Sequence, residues 1–151
     1  MDKSTFVYVT FIRTTPDRLW SALTQPEFMK KYWFDMHVAC DWQAGSPWRL
    51  LFPDGRIADT GEVLEIDPPR RLVVRWFNEW KPELKAEGPS RMTMELEPVG
   101  GAVKLTVTHT MERPESKLIQ AVSGGWPGIL SNLKSLLETG VIAVENSPRQ
   151  H

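Results

Sequence analysis

The sequence predicts an α+β fold in which a curved antiparallel sheet of about six to seven strands grips a long C-terminal helix. Three observations carry that expectation. Behind Gly124-Gly125, the residues Trp126, Ile129, Leu130, Leu133, Leu136 and Leu137 recur at steps of three and four, so on a helix they form one apolar stripe, with Asn132, Lys134, Ser135 and Glu138 largely off it. Between about Met36 and Met111 the apolar residues recur instead at steps of two, in short segments separated by glycine and proline turns. Two proline-started helical stretches follow the first strand-like segment. A single helix with a wide apolar stripe needs an extended apolar surface to lie on, and the strands supply one.

Taken in order, Thr5 to Arg13 alternates, with Phe6, Tyr8, Thr10 and Ile12 on one face and Val7, Val9, Phe11 and Arg13 on the other, which reads as a strand apolar on both sides. Thr15 is a helix N-cap with Pro16 behind it, and Leu19, Trp20 and Leu23 form that helix's inner face. Pro26 starts a second short helix through Phe28 and Met29 to Trp33. Strands are then expected over Trp48 to Phe52, Ile57 to Ile66, Arg71 to Phe77, Arg91 to Pro98 and Ala102 to Met111, with a hairpin turn at Pro53-Asp54-Gly55-Arg56 and a break at Asp67-Pro68-Pro69. Both faces carry apolar residues between 36 and 66, so the inward face there is left open. Lys81 to Pro89 reads as a charged loop long enough to move, and Glu112 to Val122 as a short helical turn. The long helix is expected to start near Ser123, with Pro127 in its first turn and Gly140 just past its end.

A chain of 151 residues is ordinarily one domain, here 1–151 with a core of about 5–140 and a polar tail at 146–151. The formal charge of -1, with acids and bases mixed along the chain, gives no electrostatic reason to expect nucleic acid or an anionic membrane. No apolar run approaches a membrane span, and no secretory leader opens the chain. Cys40 is the only cysteine, which excludes an intrachain disulfide and points to a reducing, cytoplasmic setting. Seven tryptophans and six methionines are many for this length. Such side chains fill cores, line ligand cavities or anchor interfaces.

The run Pro16-Asp17-Arg18-Leu19-Trp20-Ser21-Ala22-Leu23-Thr24 behind the first strand, Gly61-Glu62-Val63-Leu64-Glu65-Ile66-Asp67-Pro68-Pro69 in mid-chain, and Gly125-Trp126 before Leu130, Leu133 and Leu137 carry a resemblance. In that order they resemble the SRPBCC (START-like, helix-grip) superfamily, and within it the family related to the C-terminal domain of the activator of the heat-shock protein 90 ATPase. The likeness runs from about Thr5 to Gly140. It implies a deep, largely apolar cavity between sheet and long helix, used by different members for lipids, polyketides and other hydrophobic molecules, and it does not imply one chemistry. The eukaryotic activators carry a further N-terminal domain for which this chain has no room, so a chaperone partner is the lesser expectation.

Parity places His109 on the same face as Val103, Leu105 and Val107, towards the long helix. A histidine there can orient a ligand or move a proton, though the commoner role is a satisfied hydrogen bond inside the core. Trp76, Met92, Met94 and Trp126 share that side, and Trp33, Trp42 and Trp48 are further candidates for the wall. The expected ligand-binding set is therefore Trp76, Met92, Met94, His109, Trp126, Trp33 and Trp48. Trp80 is either a gate or surface.

His37 and Cys40 lie three apart, on opposite faces of a strand and with no second ligand pair nearby, so no metal is expected. No nucleophile elbow, Cys-x-x-Cys or phosphate loop is present and no cofactor is expected. Asp59, Glu62, Glu79, Arg71 and Arg75 fit a solvated sheet face better than an acid–base site. The reading that follows is a binder of a hydrophobic or aromatic small molecule. The alternatives are a cyclase- or hydrolase-like enzyme using the same cavity, with His109 as its proton-transfer group, and a chaperone-associated interaction module presenting Trp80. A homodimer is a further expectation, because edge strands need covering.

Overall fold

The computed structural model describes residues 3–145. The chain runs β1 (Ser4–Ile12), α1 (Pro16–Thr24), α2 (Pro26–Tyr32), β2 (His37–Cys40), β3 (Pro47–Leu51), β4 (Ile57–Asp67), β5 (Arg71–Asn78), α3 (Pro82–Lys85), β6 (Ser90–Val99), β7 (Ala102–Met111) and α4 (Lys117–Thr139). The seven strands form one antiparallel sheet in the order β1-β7-β6-β5-β4-β3-β2. This is the meander expected from the period-two segments, with β1 brought round beside β7 by the two helices that interrupt it.

The alternation sorts the faces. Met92, Met94 and Leu96 of β6 and Val103, Leu105, Val107 and His109 of β7 are buried. On the outer face, Arg71 bridges Glu65 and Glu95, Arg91 reaches Glu65 and Arg75 reaches Glu62. These pairs are solvent-exposed, so they mark the wet face more than they stabilise it. Gly61 pairs with Trp48 on one side and Trp76 on the other, and a Cβ there would lie 1.7 Å from the Arg75 carbonyl oxygen. Only glycine permits that approach.

α4 differs from expectation at its start. It begins at Lys117, ten residues before Pro127, and is capped by Ser116, whose Oγ accepts the Ile119 N–H at 3.1 Å. Pro127 therefore sits inside the helix and not in its first turn. The reason is tertiary: buried Leu118, Ile119 and Trp126 continue the apolar stripe towards the N-terminus, and packing overrides the local signal of two glycines and a proline. The end is as expected, with Gly140 at φ 88 and its N–H on the Leu136 carbonyl.

The 81–89 stretch is also more ordered than a charged loop. α3 buries Leu84, and Glu87 reaches across to α4, accepting the Ser116 hydroxyl at 2.6 Å and the N–H groups of Lys117 at 2.8 Å and Leu118 at 3.3 Å. A carboxylate there meets the positive end of the helix dipole. Asn132, expected off the stripe, is fully buried. Its Oδ1 accepts the Ala143 and Val144 N–H groups at 2.9 and 2.6 Å, and its Nδ2 donates to the Val144 carbonyl at 2.8 Å, holding the segment after α4 against the helix. The polar tail of 146–151 lies outside the described residues. No helix among the described residues is long and apolar enough to cross a membrane.

β1 is an edge strand whose backbone is partly covered by α4. Lys134 donates to the Phe11 carbonyl, and Glu138 accepts the Arg13 N–H at 2.8 Å. Val7, Val9 and Phe11 are about half exposed on its outer face.

Candidate functional site

Between the sheet and the N-terminal half of α4 lies a cavity of about 330 Å³. α4 contributes Leu118, Ala121, Val122, Trp126 and Ile129, at the helical spacing that puts them on one side. The sheet contributes Leu50, Asp59, Trp76 and Asn78. Trp33, Phe34 and Met36 come from the turn after α2, where Phe34 and Asp35 take positive φ. Phe52, Pro53 and Arg56 of the β3–β4 hairpin and Trp80 and Leu84 after β5 complete the wall.

The aromatic wall is one packed cluster. Trp33 lies 6.4 Å from Trp76 and 5.3 Å from Trp126, and Trp76 lies 5.9 Å from Trp126, mostly edge to face. A second pair, Phe52 and Trp80, meets edge to face at 5.3 Å. Arg56 lies over the Phe52 ring while its guanidinium pairs with Asp54, and Lys81 lies over Trp80.

Behind this wall stands His109, fully buried on β7. An indole N–H can only donate, so the contact from Trp126 Nε1 to His109 Nδ1 at 3.2 Å makes Nδ1 the acceptor and leaves the ring proton on Nε2. Nε2 then donates to Ser90 Oγ at 2.8 Å, and the Ser90 hydroxyl donates to the Trp76 carbonyl at 3.2 Å. Both ring nitrogens of His109, the Trp126 indole N–H and the Ser90 hydroxyl are thereby hydrogen-bonded. Burial pushes the imidazole pKa down to about 3, so the ring is neutral at physiological pH. Tyr32, also enclosed, has its pKa raised by burial, and its hydroxyl donates to the Ala22 carbonyl at 2.8 Å.

Of the sequence-predicted site residues, Trp33, Trp76 and Trp126 meet at the cavity. Trp48, Met92, Met94 and His109 are buried in the core and do not line it; Trp48 packs on Trp76 at 4.7 Å. Asp59, expected on a solvated face, is buried and faces the cavity. Consecutive Ala58 and Asp59 are both buried, and the register shifts at Leu50/Leu51, which hides the parity that would have located Asp59. Asn78 lies two residues beyond Trp76, so strand parity carried a signal for it. Phe34, Phe52 and Trp80 sit in turns, where no periodicity marks a direction. Trp42 donates its indole N–H to the Thr24 carbonyl, away from the cavity. His37 and Cys40 are both half-buried, and no group of three metal-ligating side chains occurs among the described residues.

A sheet closed by one long helix over an apolar cavity defines a helix-grip protein of the SRPBCC superfamily. More narrowly, the sequence profile of the family described as Activator of Hsp90 ATPase homolog 1-like protein matches residues 13–138, and the chain belongs to that family. No curated protein matches the sequence. Among solved structures, the chain is similar to CalU16 from Micromonospora echinospora, at 22% identity and TM-score 0.72 over 90% of this chain and 77% of that one. It is similar also to the protein described as the Aha1 dimer from Colwellia psychrerythraea, at 18% identity and TM-score 0.73 over 91% and 98%. PFC0360w, described as an HSP90 activator from Plasmodium falciparum, aligns at 22% identity and TM-score 0.68 over 88% and 95%. At these identities the likeness carries the fold.

Proposed function

We propose that the chain binds a hydrophobic or aromatic small molecule in the cavity between the sheet and α4. The observation that supports this is an aromatic-walled space of about 330 Å³ that opens between the buried core and α4. Close-packed cores leave few voids larger than a water, and spaces of this size with a few polar groups are what ligands occupy. Trp33, Trp76 and Trp126 form the contact surface at one part of the wall and Phe52 and Trp80 at another. Trp48, Met92, Met94 and His109 support that surface from behind. The test is thermal unfolding and intrinsic fluorescence of the purified protein against fatty acids, aromatic polyketides, flavonoids and aryl amines. A ligand at a hundred times its dissociation constant adds about 2.7 kcal/mol, a rise of roughly 5–10 °C in melting temperature. A broad panel with no shift on folded protein would sink the reading.

The reading extends to a homodimer through the outer face of β1, where Val7, Val9 and Phe11 stand exposed beside one another. Sedimentation velocity decides this: the wild type runs as a dimer and Phe11→Glu as a monomer, whereas a monomeric wild type rejects it.

A further inference from the structure

The cavity is not uniformly apolar: the side-chain amide of Asn78 opens onto it. Asn78 ends β5 on the cavity wall, only 6% exposed and two residues beyond Trp76, so strand alternation sets both side chains on one face. The partners of the amide identify its two branches. The backbone N–H groups of Trp80 at 3.2 Å and Lys81 at 2.8 Å can only donate, so the branch that meets them is Oδ1 and the other is Nδ2. Oδ1 is thus committed to fixing the turn after β5. Nδ2 has no hydrogen-bond partner among the described residues, and it is not one of their fully enclosed orphan atoms, which are Thr14 Oγ1 and His37 Nδ1. A donor that is neither paired nor sealed off, on a side chain this buried, faces the cavity that the side chain lines.

An unmatched donor in an aromatic-walled space is unfavourable, so a molecule that completes the site brings an acceptor oxygen. A carboxylate is the poorer acceptor here. An ionised group entering the cavity would exchange its water for one neutral donor, and it would bring a second carboxyl beside that of Asp59, the buried register partner of Asn78 on β4. The cation on the wall, Arg56, is exposed and already meets Asp54 at 2.7 Å. A neutral carbonyl gives up far less water and matches a single amide donor. Its aromatic body then rests on Trp76, the ring next to Asn78 on the same strand face.

We propose that the cavity selects a neutral aromatic carbonyl compound, with Asn78 Nδ2 donating to the carbonyl oxygen. This rests on the reading of the cavity as a ligand site. The experiment titrates wild type, Asn78→Asp and Asn78→Ala with benzophenone, diphenylmethane and diphenylacetate by calorimetry, and records the infrared carbonyl stretch of bound, isotope-labelled benzophenone. Asn78→Asp keeps an oxygen for the Trp80 and Lys81 N–H groups and replaces the amide donor by a second oxygen; Asn78→Ala removes the donor whatever the protonation of that acid. In the wild type the stretch is expected to lie below its value in hexane, as for a hydrogen-bonded carbonyl, and benzophenone to bind about tenfold or more tighter than diphenylacetate. In the variants the stretch is expected to return towards the hexane value, and benzophenone affinity to fall about tenfold relative to diphenylmethane. A hexane-like stretch in the wild type, or diphenylmethane binding where benzophenone does not, overturns carbonyl recognition and leaves the ligand site standing. A lowered stretch that persists in both variants overturns the role of Asn78. Diphenylacetate bound as tightly as benzophenone overturns selection of a neutral oxygen. Binding of none of the three overturns the inference together with the reading beneath it. The wild-type spectrum needs no variant, so a poorly folding variant does not shield the proposal.

Discussion

Replacing His109 by glutamine should change how stability depends on pH far more than stability at neutral pH. Glutamine can accept the Trp126 N–H and donate to Ser90, so the hydrogen-bonded chain survives. What it loses is a titrating group. In the folded protein the imidazole pKa is pushed from 6.5 to about 3 by burial. The folded pKa lies below the unfolded one, so between these values the unfolded chain binds the extra proton, and stability falls as pH falls. This contribution is fully present above the unfolded pKa and is lost progressively down to the folded one. One pKa unit corresponds to about 1.36 kcal/mol, so from about pH 7.5 to about pH 4.5 the wild type should lose about 2 to 3 kcal/mol through this residue. Urea unfolding of both proteins across that range is the assay. Their carboxylates are shared, so subtracting the two curves isolates His109. Parallel curves would refute the account of a buried, neutral imidazole.

Removing the Glu87 carboxylate in Glu87→Ala strips the N-terminus of α4 of an acceptor and should cost about 1 kcal/mol in denaturant unfolding. Burial pushes the Glu87 carboxyl up, but hydrogen bonds from Ser116 and the N–H groups of Lys117 and Leu118, with the charge of Arg113, outweigh it and hold it below the usual carboxylate range. Its contribution is therefore present above the unfolded pKa and disappears as pH falls through the lowered folded value, a dependence that Glu87→Ala should lack in an acid melting series. Asn132→Ala leaves the backbone groups of Ala143 and Val144 without their partner, at a cost of about 1–3 kcal/mol. Hydrogen exchange should then show those two amides losing protection while the sheet keeps its own.

The architecture was legible because its signals are long and periodic. The α4 stripe, the alternation of β6 and β7 and the two proline-started helices each repeat a pattern over several residues. The start of α4 was not legible, since Gly124, Gly125 and Pro127 are local stop signals that only packing of Leu118, Ile119 and Trp126 overrides. The cavity wall was legible where it rests on regular elements, which is why parity and helical spacing place Trp76 and Trp126 on it. It was obscured where a register shift near Asp59 or a turn at Phe34, Phe52 and Trp80 sets the direction of a side chain. His109 shows the remaining gap: parity gave its face correctly, but the bulk of Trp76 and Trp126, which separates it from the cavity, is a property of three strands and a helix together.

A ligand bound beneath α4 is displaced by a side chain that fills the same space. Ala121 lies on the α4 wall. In Ala121→Phe the added ring enters the cavity, where open space spares it most of the roughly 1–3 kcal/mol that overpacking a filled core costs. Thermal unfolding of this variant with a ligand that raises the wild-type melting temperature should show a folded protein with no ligand-induced shift. An undiminished shift would place the ligand outside the cavity beneath α4.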